Sequence, residues 1–178
     1  MPPKAAAGKP AAGGKGAGAR SKVSKSLKEV YEETCRDQLV HPNSAFTRLL
    51  PEKQGASVAG DTIDLTRNFV GDKGIAPVMA VVQRCPNLRK VHLNDNGLRN
   101  HGVGTVCMAL SKHQGVTSID LSDNYISKGA GDHLLKLLQD NPRITDVVIN
   151  NTKIDVEQRL QIKQLAATNA QVAPKVAL

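Results

Sequence analysis

Apolar and polar residues alternate in four short runs, Ile63-x-Leu65, Val91-x-Leu93, Ile119-x-Leu121 and Val147-x-Ile149, each beginning 28 residues after the last. A period of two is the pattern of a strand with one buried face. At a fixed offset each run is followed by Asn68, Asn96, Asn124 and, degenerately, Thr152. The same step links Leu88, Val116 and Ile144. It also links Val70, Leu98, Ile126 and Ile154, then Val82, Leu110, Leu138 and Ala166, and it aligns Gly74 with Gly102. Columns held in phase over three or four turns define an internal repeat. Between the runs lie helical stretches such as His101–His113, Lys128–Gln139 and Val156–Thr168. One strand plus one helix per unit predicts an α/β fold: a short right-handed solenoid of about four repeats with a parallel sheet on its inner face. No single unit can close the core between its strand and its helix, so three or more are needed. The three asparagines fall where each strand turns outward, and their amides can bond the backbone of neighbouring turns.

Upstream, Ser26-Leu27-Lys28-Glu29 is a capping box ahead of apolar positions at Leu27, Val30, Tyr31, Thr34, Cys35 and Leu39, which predicts a helix with one sticky face. Pro42 ends it. Asn43 or Ser44 then caps a short second helix that buries Ala45, Phe46, Leu49 and Leu50 before Pro51. This pair covers the first strand's side of the core, and the helix at 156–168 closes the other end. The chain therefore divides into a tail (1–25), a helical cap (26–55), the repeat domain (56–169) and a C-terminal tail (170–178).

The stretches LRKVHLNDNGLRNHGVGTVCMAL and VTSIDLSDNYISKGAGDHLLKLL resemble leucine-rich repeats of the long, ribonuclease-inhibitor-like class, over about residues 60–169. The resemblance implies a surface that binds proteins. Tyr31-Glu-Glu-Thr-Cys35, Val40, Pro42 and Ser44 resemble the helical lead-in of leucine-rich-repeat proteins of flagellar axonemes, which implies tubulin or other axonemal partners and a place in a cilium or flagellum. Ran GTPase-activating proteins share the repeat class, but they are longer and end in an acidic region, whereas this chain ends in Ala-Gln-Val-Ala-Pro-Lys-Val-Ala-Leu. Tropomodulin, an actin-capping protein, has a comparably small repeat domain.

Charge is distributed unevenly. Of the 24 basic residues, Lys4, Lys9, Lys15, Arg20, Lys22, Lys25 and Lys28 fall within the first 28 positions, where there is no acid, and the remaining chain is nearly neutral. Residues 1–24 are mostly Ala, Gly, Pro, Lys and Ser, too few apolar groups to offset the entropy of ordering, so a disordered tail is expected. Such an arm resembles histone and ribosomal-protein tails and the arms that lie on acidic tubulin. Its lysines and Arg20 suit a polyanion, bound in a salt-sensitive way. Gly13, Gly14, Gly16, Gly18, Pro3 and Pro10 would break the amphipathic helix of a mitochondrial presequence. With no Trp and four aromatics, the chain lacks the stacking platforms of single-strand readers. Nucleic acid remains a partner through the tail alone. No apolar run approaches the roughly 18 residues that span a bilayer, and no apolar signal segment follows the N-terminal charges. Cys35, Cys85 and Cys107 match neither a disulfide framework nor a metal knuckle, and read as reduced thiols in the cytoplasm.

In a parallel sheet, residues one repeat apart lie about 4.8 Å from each other. The outward columns are then Thr62/Lys90/Ser118/Asp146, Asp64/His92/Asp120/Val148 and Thr66/Asn94/Ser122/Asn150. A histidine between two carboxylates, Asp64–His92–Asp120, has the residue types of a metal site or a base. With no nucleophile beside it and no enclosed cleft, it reads instead as part of a polar binding face. That face comprises Asp64, Lys90, His92, Asn94, Asp120, Ser122 and Asp146. Cys85 and Cys107 fill core or loop space, and His41, His101, His113 and His133 read as solvated and unclustered. Gly71-Asp72-Lys73-Gly74 and Gly129-Ala130-Gly131 lack the G-x4-G-K-S/T pattern and mark strand-to-helix turns. No catalytic set, cofactor site, metal site or small-molecule pocket emerges. The chain reads as a non-catalytic interaction scaffold, first on the microtubule cytoskeleton of cilia. The alternatives are a regulator of a small GTPase, a tropomodulin-like actin binder, and a ribosome-associated or nucleic-acid-associated protein.

Overall fold

The computed structural model describes residues 25–172. The expected disordered tail, with Lys4, Lys9, Lys15, Arg20 and Lys22, falls outside that range, as do residues 173–178. The described chain runs α1 (Leu27–Asp37), α2 (Ser44–Leu49), β1 (Thr62–Asp64), α3 (Gly71–Val82), β2 (Lys90–His92), α4 (Asn100–Leu110), β3 (Ser118–Asp120), α5 (Lys128–Asp140), β4 (Asp146–Val148) and α6 (Val156–Val172). The strands form one parallel sheet in chain order, with Ile63, Val91, Ile119 and Val147 side by side. The predicted α/β solenoid and its register are therefore those of the molecule. Helices α3 to α6 pack in sequence against one another, and the core lies between them and the inner face of the sheet. The strand leucines Leu65, Leu93 and Leu121 and the helix residues Val82, Leu110 and Leu138 are fully buried there. Each such side chain contributes roughly 1.5–3 kcal/mol on leaving water.

The expected asparagine ladder forms at Asn96 and Asn124, whereas the Asn68 side-chain amide, in the first unit, donates only to its own unit's Thr66 carbonyl. The Asn124 Oδ1 accepts from the amides of Asn96 (3.1 Å) and Leu98 (2.9 Å) one repeat earlier, and its Nδ2 donates to the Leu93 carbonyl at 2.9 Å. Asn96 repeats the pattern toward Asn68 N, Val70 N and the Leu65 carbonyl. At the last unit Thr152 turns its hydroxyl onto the Ile149 carbonyl instead, so the row stops.

A second polar row runs along the helix exits, and it overturns one expectation. His113 is not solvated: it is 6% exposed, its Nδ1 accepts from the amides of Gly115 and Val116, and its Nε2 lies 3.1 Å from the Val82 carbonyl. One repeat on, Asn141 donates to the carbonyls of Leu110 and His113, and a repeat further Asn169 donates to those of Leu138 and Ile144. The chain leaves α4 at Leu110, short of the predicted His113, because His113 belongs to this row; α6 runs past Thr168 to Val172 and keeps Asn169 buried within it.

The capping box is present at Ser26, with its hydroxyl accepting from Glu29 N and the Glu29 carboxylate from Ser26 N. Asn43 caps α2 and also donates to the Asn68 carbonyl at 2.7 Å, joining the cap to the first repeat. Tyr31 and Phe46 meet edge to face at 4.9 Å. Two cap expectations fail. Helix α1 stops at Asp37, well before Pro42, and Leu39 takes a left-handed backbone (φ 53°) with 94% of its surface exposed, while Val40 packs on the core. The Leu39 and Val40 amides bond back to Arg36 and Cys35, a helix ending that normally uses glycine. Leu49 is nearly half exposed and Ala45 only partly covered, so of the four expected apolar residues Phe46 and Leu50 are the buried ones.

Candidate binding face

The register places Thr62 beside Lys90, Ser118 and Asp146 in one outward row and Asp64 beside His92 and Asp120 in the next. Side-chain detail separates these neighbours. The Asp64 Oδ1 accepts from the Thr66 amide at 2.9 Å and lies 2.6 Å from its hydroxyl. The Asp120 Oδ1 accepts from Ser122 N at 2.9 Å. Both carboxylates thus close turns at their own strand ends rather than bonding His92. The Thr66 hydroxyl, then its amide, hold the Asp64 carboxyl below its ordinary range against the opposing effect of burial, with the nearby His92 adding the smallest contribution. Among the described residues no group of three or more His, Cys, Asp or Glu is arranged to hold a metal ion.

The remaining predicted face residues divide. Asp64, Lys90 and Asp146 are exposed, and His92, Asn94 and Asp120 are half-buried. Ser122 is corrected: it is 6% exposed and its Oγ accepts from the Asn150 amide, so it supports the turn and is closed to a partner. Lys25, the one predicted polyanion-binding residue inside the described range, pairs with Glu33 of α1.

Two rim residues escaped the sequence reading. Phe69 and Tyr125 are 89% and 69% exposed at the strand exits. They occupy one column, two repeats apart, with Gly97 between them. Two strand spacings put their backbones about 10 Å apart, and the space above Gly97 is open. The signal was available: two of the chain's four aromatics fall in phase on the repeat. Beside them runs a column of left-handed residues, Arg67, Asp95, Asp123 and Asn151 (φ 52–58°). Arg67 pairs with Asp95 at 3.3 Å, and the Asp123 carboxylate accepts from Asn151.

On the helical side, His101 and His133 are corrected from isolated to neighbouring: both line a groove of about 440 Å³ between α4 and α5, with Cys107 and the exposed Met108. The three thiols are buried, and burial pushes the Cys107 thiol up to about 12 and those of Cys35 and Cys85 upward. Since the thiolate is the reactive form, the folded protein should react slowly with a disulfide reagent at neutral pH. All three cysteines should react at once in guanidinium; rapid labelling of the native state would contradict this burial.

The glycines explain themselves locally. Gly71 has φ +62°, and a Cβ on Gly102 would lie 2.3 Å from the Asp72 carboxylate, which accepts from the Arg99 amide ahead of α4. Gly71 thus serves the expected turn, while Gly102 serves close packing between repeats, a role the spacing does not reveal.

No protein-family model matches the chain. The photoactivated adenylate cyclase subunit alpha of Euglena gracilis and the alpha-like protein FB of the same organism are each 29% identical over 101 residues, 56% of this chain. The matched region is 10% of either relative, so the chain spans about a tenth of their length. Among solved structures, the actin-binding site 2 domain of leiomodin-1 superposes with a TM-score of 0.53 at 11% identity, over 81% of this chain and 89% of that one. At such identity the likeness concerns the fold. The molecule is a short α/β solenoid of four strand-helix units with a helical N-terminal cap and a polar outward sheet face.

Proposed function

We propose that the chain is a non-catalytic interaction scaffold whose sheet face takes a protein partner while the basic tail anchors it on an acidic surface. The observation that carries the reading is the single register of four strands, which presents Asp64, Lys90, His92, Asn94, Asp120 and Asp146 outward on one continuous surface. Repeat solenoids offer extended surfaces of this kind. For the anchor, the first choice is the microtubule of a ciliary axoneme, with a cytoplasmic, cytoskeletal location. It is supported by the acid-free tail and by the lead-in resemblance at Tyr31–Ser44. The second reading is an actin binder, favoured by the likeness to the leiomodin-1 domain.

The test is co-sedimentation of the full chain with microtubules and with actin filaments. The expected result is microtubule pelleting at low salt that falls sharply without residues 1–24 and on added salt. Pelleting with actin alone establishes the second reading, and pelleting with neither overturns both. Salt does not separate tubulin from RNA, so excess RNA is added as competitor. Binding that RNA abolishes, and that tubulin cannot restore, would place the tail on nucleic acid.

A further inference from the structure

The sheet face and the tail carry opposite charge within one chain. In the outward rows and the adjoining left-handed column, Asp64, Asp120, Asp123 and Asp146 form no salt bridge to a Lys or Arg among the described residues, and His92 stands between the first two. Arg67 is taken by Asp95, and among the described residues Lys90 is the only Lys or Arg of the outward rows. An acidic filament is therefore repelled by this face and attracted by the tail. On the rim, Phe69 stands 89% exposed in a backbone conformation (φ 52°) that bulky residues rarely adopt, in column with Tyr125 across the open position at Gly97. Exposed rings in column beside a strained turn make this rim the candidate docking point of the face. The occupant is a segment with spaced positive charges to meet the carboxylates, flat apolar groups to lie on two rings, and no acids.

Residues 1–24 have that composition. They contain Lys4, Lys9, Lys15, Arg20 and Lys22, no Asp or Glu, and prolines at positions 2, 3 and 10 with mainly Ala and Gly between. Prolines in an extended segment dock on exposed aromatic rings, and cations pack over ring faces. Reach is no obstacle: 24 residues extend up to about 80 Å, whereas four strands span only about 15 Å. Tethering also supplies an effective concentration near the millimolar range, so a weak contact suffices. We infer that the N-terminal segment 1–24 docks on the chain's own sheet face, its cations on Asp64, Asp120, Asp123 and Asp146 and its prolines on the Phe69–Tyr125 rim. One consequence rests on the function proposed above: an acidic filament and the sheet face compete for the same cations. The docking itself does not depend on that reading.

The experiment compares amide NMR spectra of the full chain with those of a full-length variant neutralised at Lys4→Ala, Lys9→Ala, Lys15→Ala, Arg20→Ala and Lys22→Ala, at low ionic strength. The substitutions lie outside the folded repeats, so loss of folding does not confuse the comparison. Docking predicts shifts at Asp64–Thr66, His92–Asn94, Asp120–Asp123, Phe69, Gly97 and Tyr125, with the exposed faces of α3 to α5 unchanged. Added salt should reproduce those shifts in the native chain and have little effect on the neutralised one. A second variant, Phe69→Ala with Tyr125→Ala, should shrink the salt response. Spectra that coincide, shifts confined to the helices, or shifts that scale with protein concentration and so report a second copy's tail would each overturn the inference. Microtubules play no part in these spectra, so failure here and failure of co-sedimentation are separate results.

Discussion

Replacing Asn124 with leucine is expected to lower the unfolding free energy by roughly 3–6 kcal/mol, since each buried polar group left without a partner costs about 1–3 kcal/mol. Leucine keeps the branched outline but carries bulkier methyl groups, so overpacking adds to the loss of the hydrogen bonds. Asn124 is 3% exposed and lies between two repeats. Its side-chain oxygen is the partner of the Asn96 and Leu98 amides, and its nitrogen lies within 2.9–3.1 Å of the Leu93, Leu121 and Ser122 carbonyls. Two amides and at least one carbonyl would be stranded beside a fully buried core. A loss of that size is a large fraction of the roughly 5–15 kcal/mol by which domains are stable. Stability in a repeat protein is carried by nearest-neighbour interfaces, so the damage should concentrate between the second and third units. Urea unfolding should then broaden, with a smaller dependence on denaturant than the parent. Asn68→Leu is the internal contrast: that residue is half exposed and its Nδ2 bonds only the Thr66 carbonyl, so the cost should stay near 1 kcal/mol. An Asn124→Leu protein within 1 kcal/mol of the parent would show that the ladder is not what joins the repeats.

Gly115→Ala is the second large effect, for a different reason. A Cβ there would sit 2.2 Å from the Pro86 carbonyl oxygen and 2.5 Å from that of Leu88. Both are backbone atoms of the preceding repeat, so neither can rotate away as a side chain would, and the Arg89 guanidinium further fixes the Gly115 carbonyl at 3.1 Å. Overpacking of this kind costs about 1–3 kcal/mol and occasionally more; the rigid neighbours place this case near the top of that range. Gly97→Ala separates space from backbone strain. Gly97 has φ +69° with nothing within 4 Å of a new Cβ, so its cost should be the left-handed penalty alone, about 1–2 kcal/mol. Chemical denaturation of the two variants side by side checks the ranking, and a Gly115→Ala protein as stable as Gly97→Ala would contradict the geometry.

The fold was legible because a step of 28 residues multiplies weak local signals. A lone Val-x-Leu is ambiguous, but four copies in phase fix strand identity, register and the outward rows together. What the chain hid follows from chemistry that changes down a column. The helix-exit row reads His113, Asn141 and Asn169: an imidazole and two amides differ in residue type, and only their common position against helix-end carbonyls unites them. Helix α3 was faint because Gly71, Gly74 and Pro77 depress its local propensity, and tertiary packing forms it regardless. On the face, alternation gave the rows but not the direction of each carboxylate. The Asp-x-Thr and Asp-x-Ser spacings at Asp64 and Asp120 were the missed clue, because short-range turns compete for those oxygens before a neighbouring strand can. The exposed rim at Phe69 and Tyr125 went unnoticed because aromatic residues in a repeat are first assigned to the core.

The two polar rows, one at the strand exits and one at the helix exits, also restrict how such a molecule can change in length over evolution. Both advance by the same 28 residues, so a short insertion between Asn96 and Asn124 would displace the rungs on either side of it and leave buried amides and carbonyls facing the wrong partners. Growth or shrinkage by a few residues is confined to the cap and the ends. The middle of the solenoid is quantised, open to change only by gain or loss of a complete unit, and the width of the face it presents can therefore vary only in whole columns.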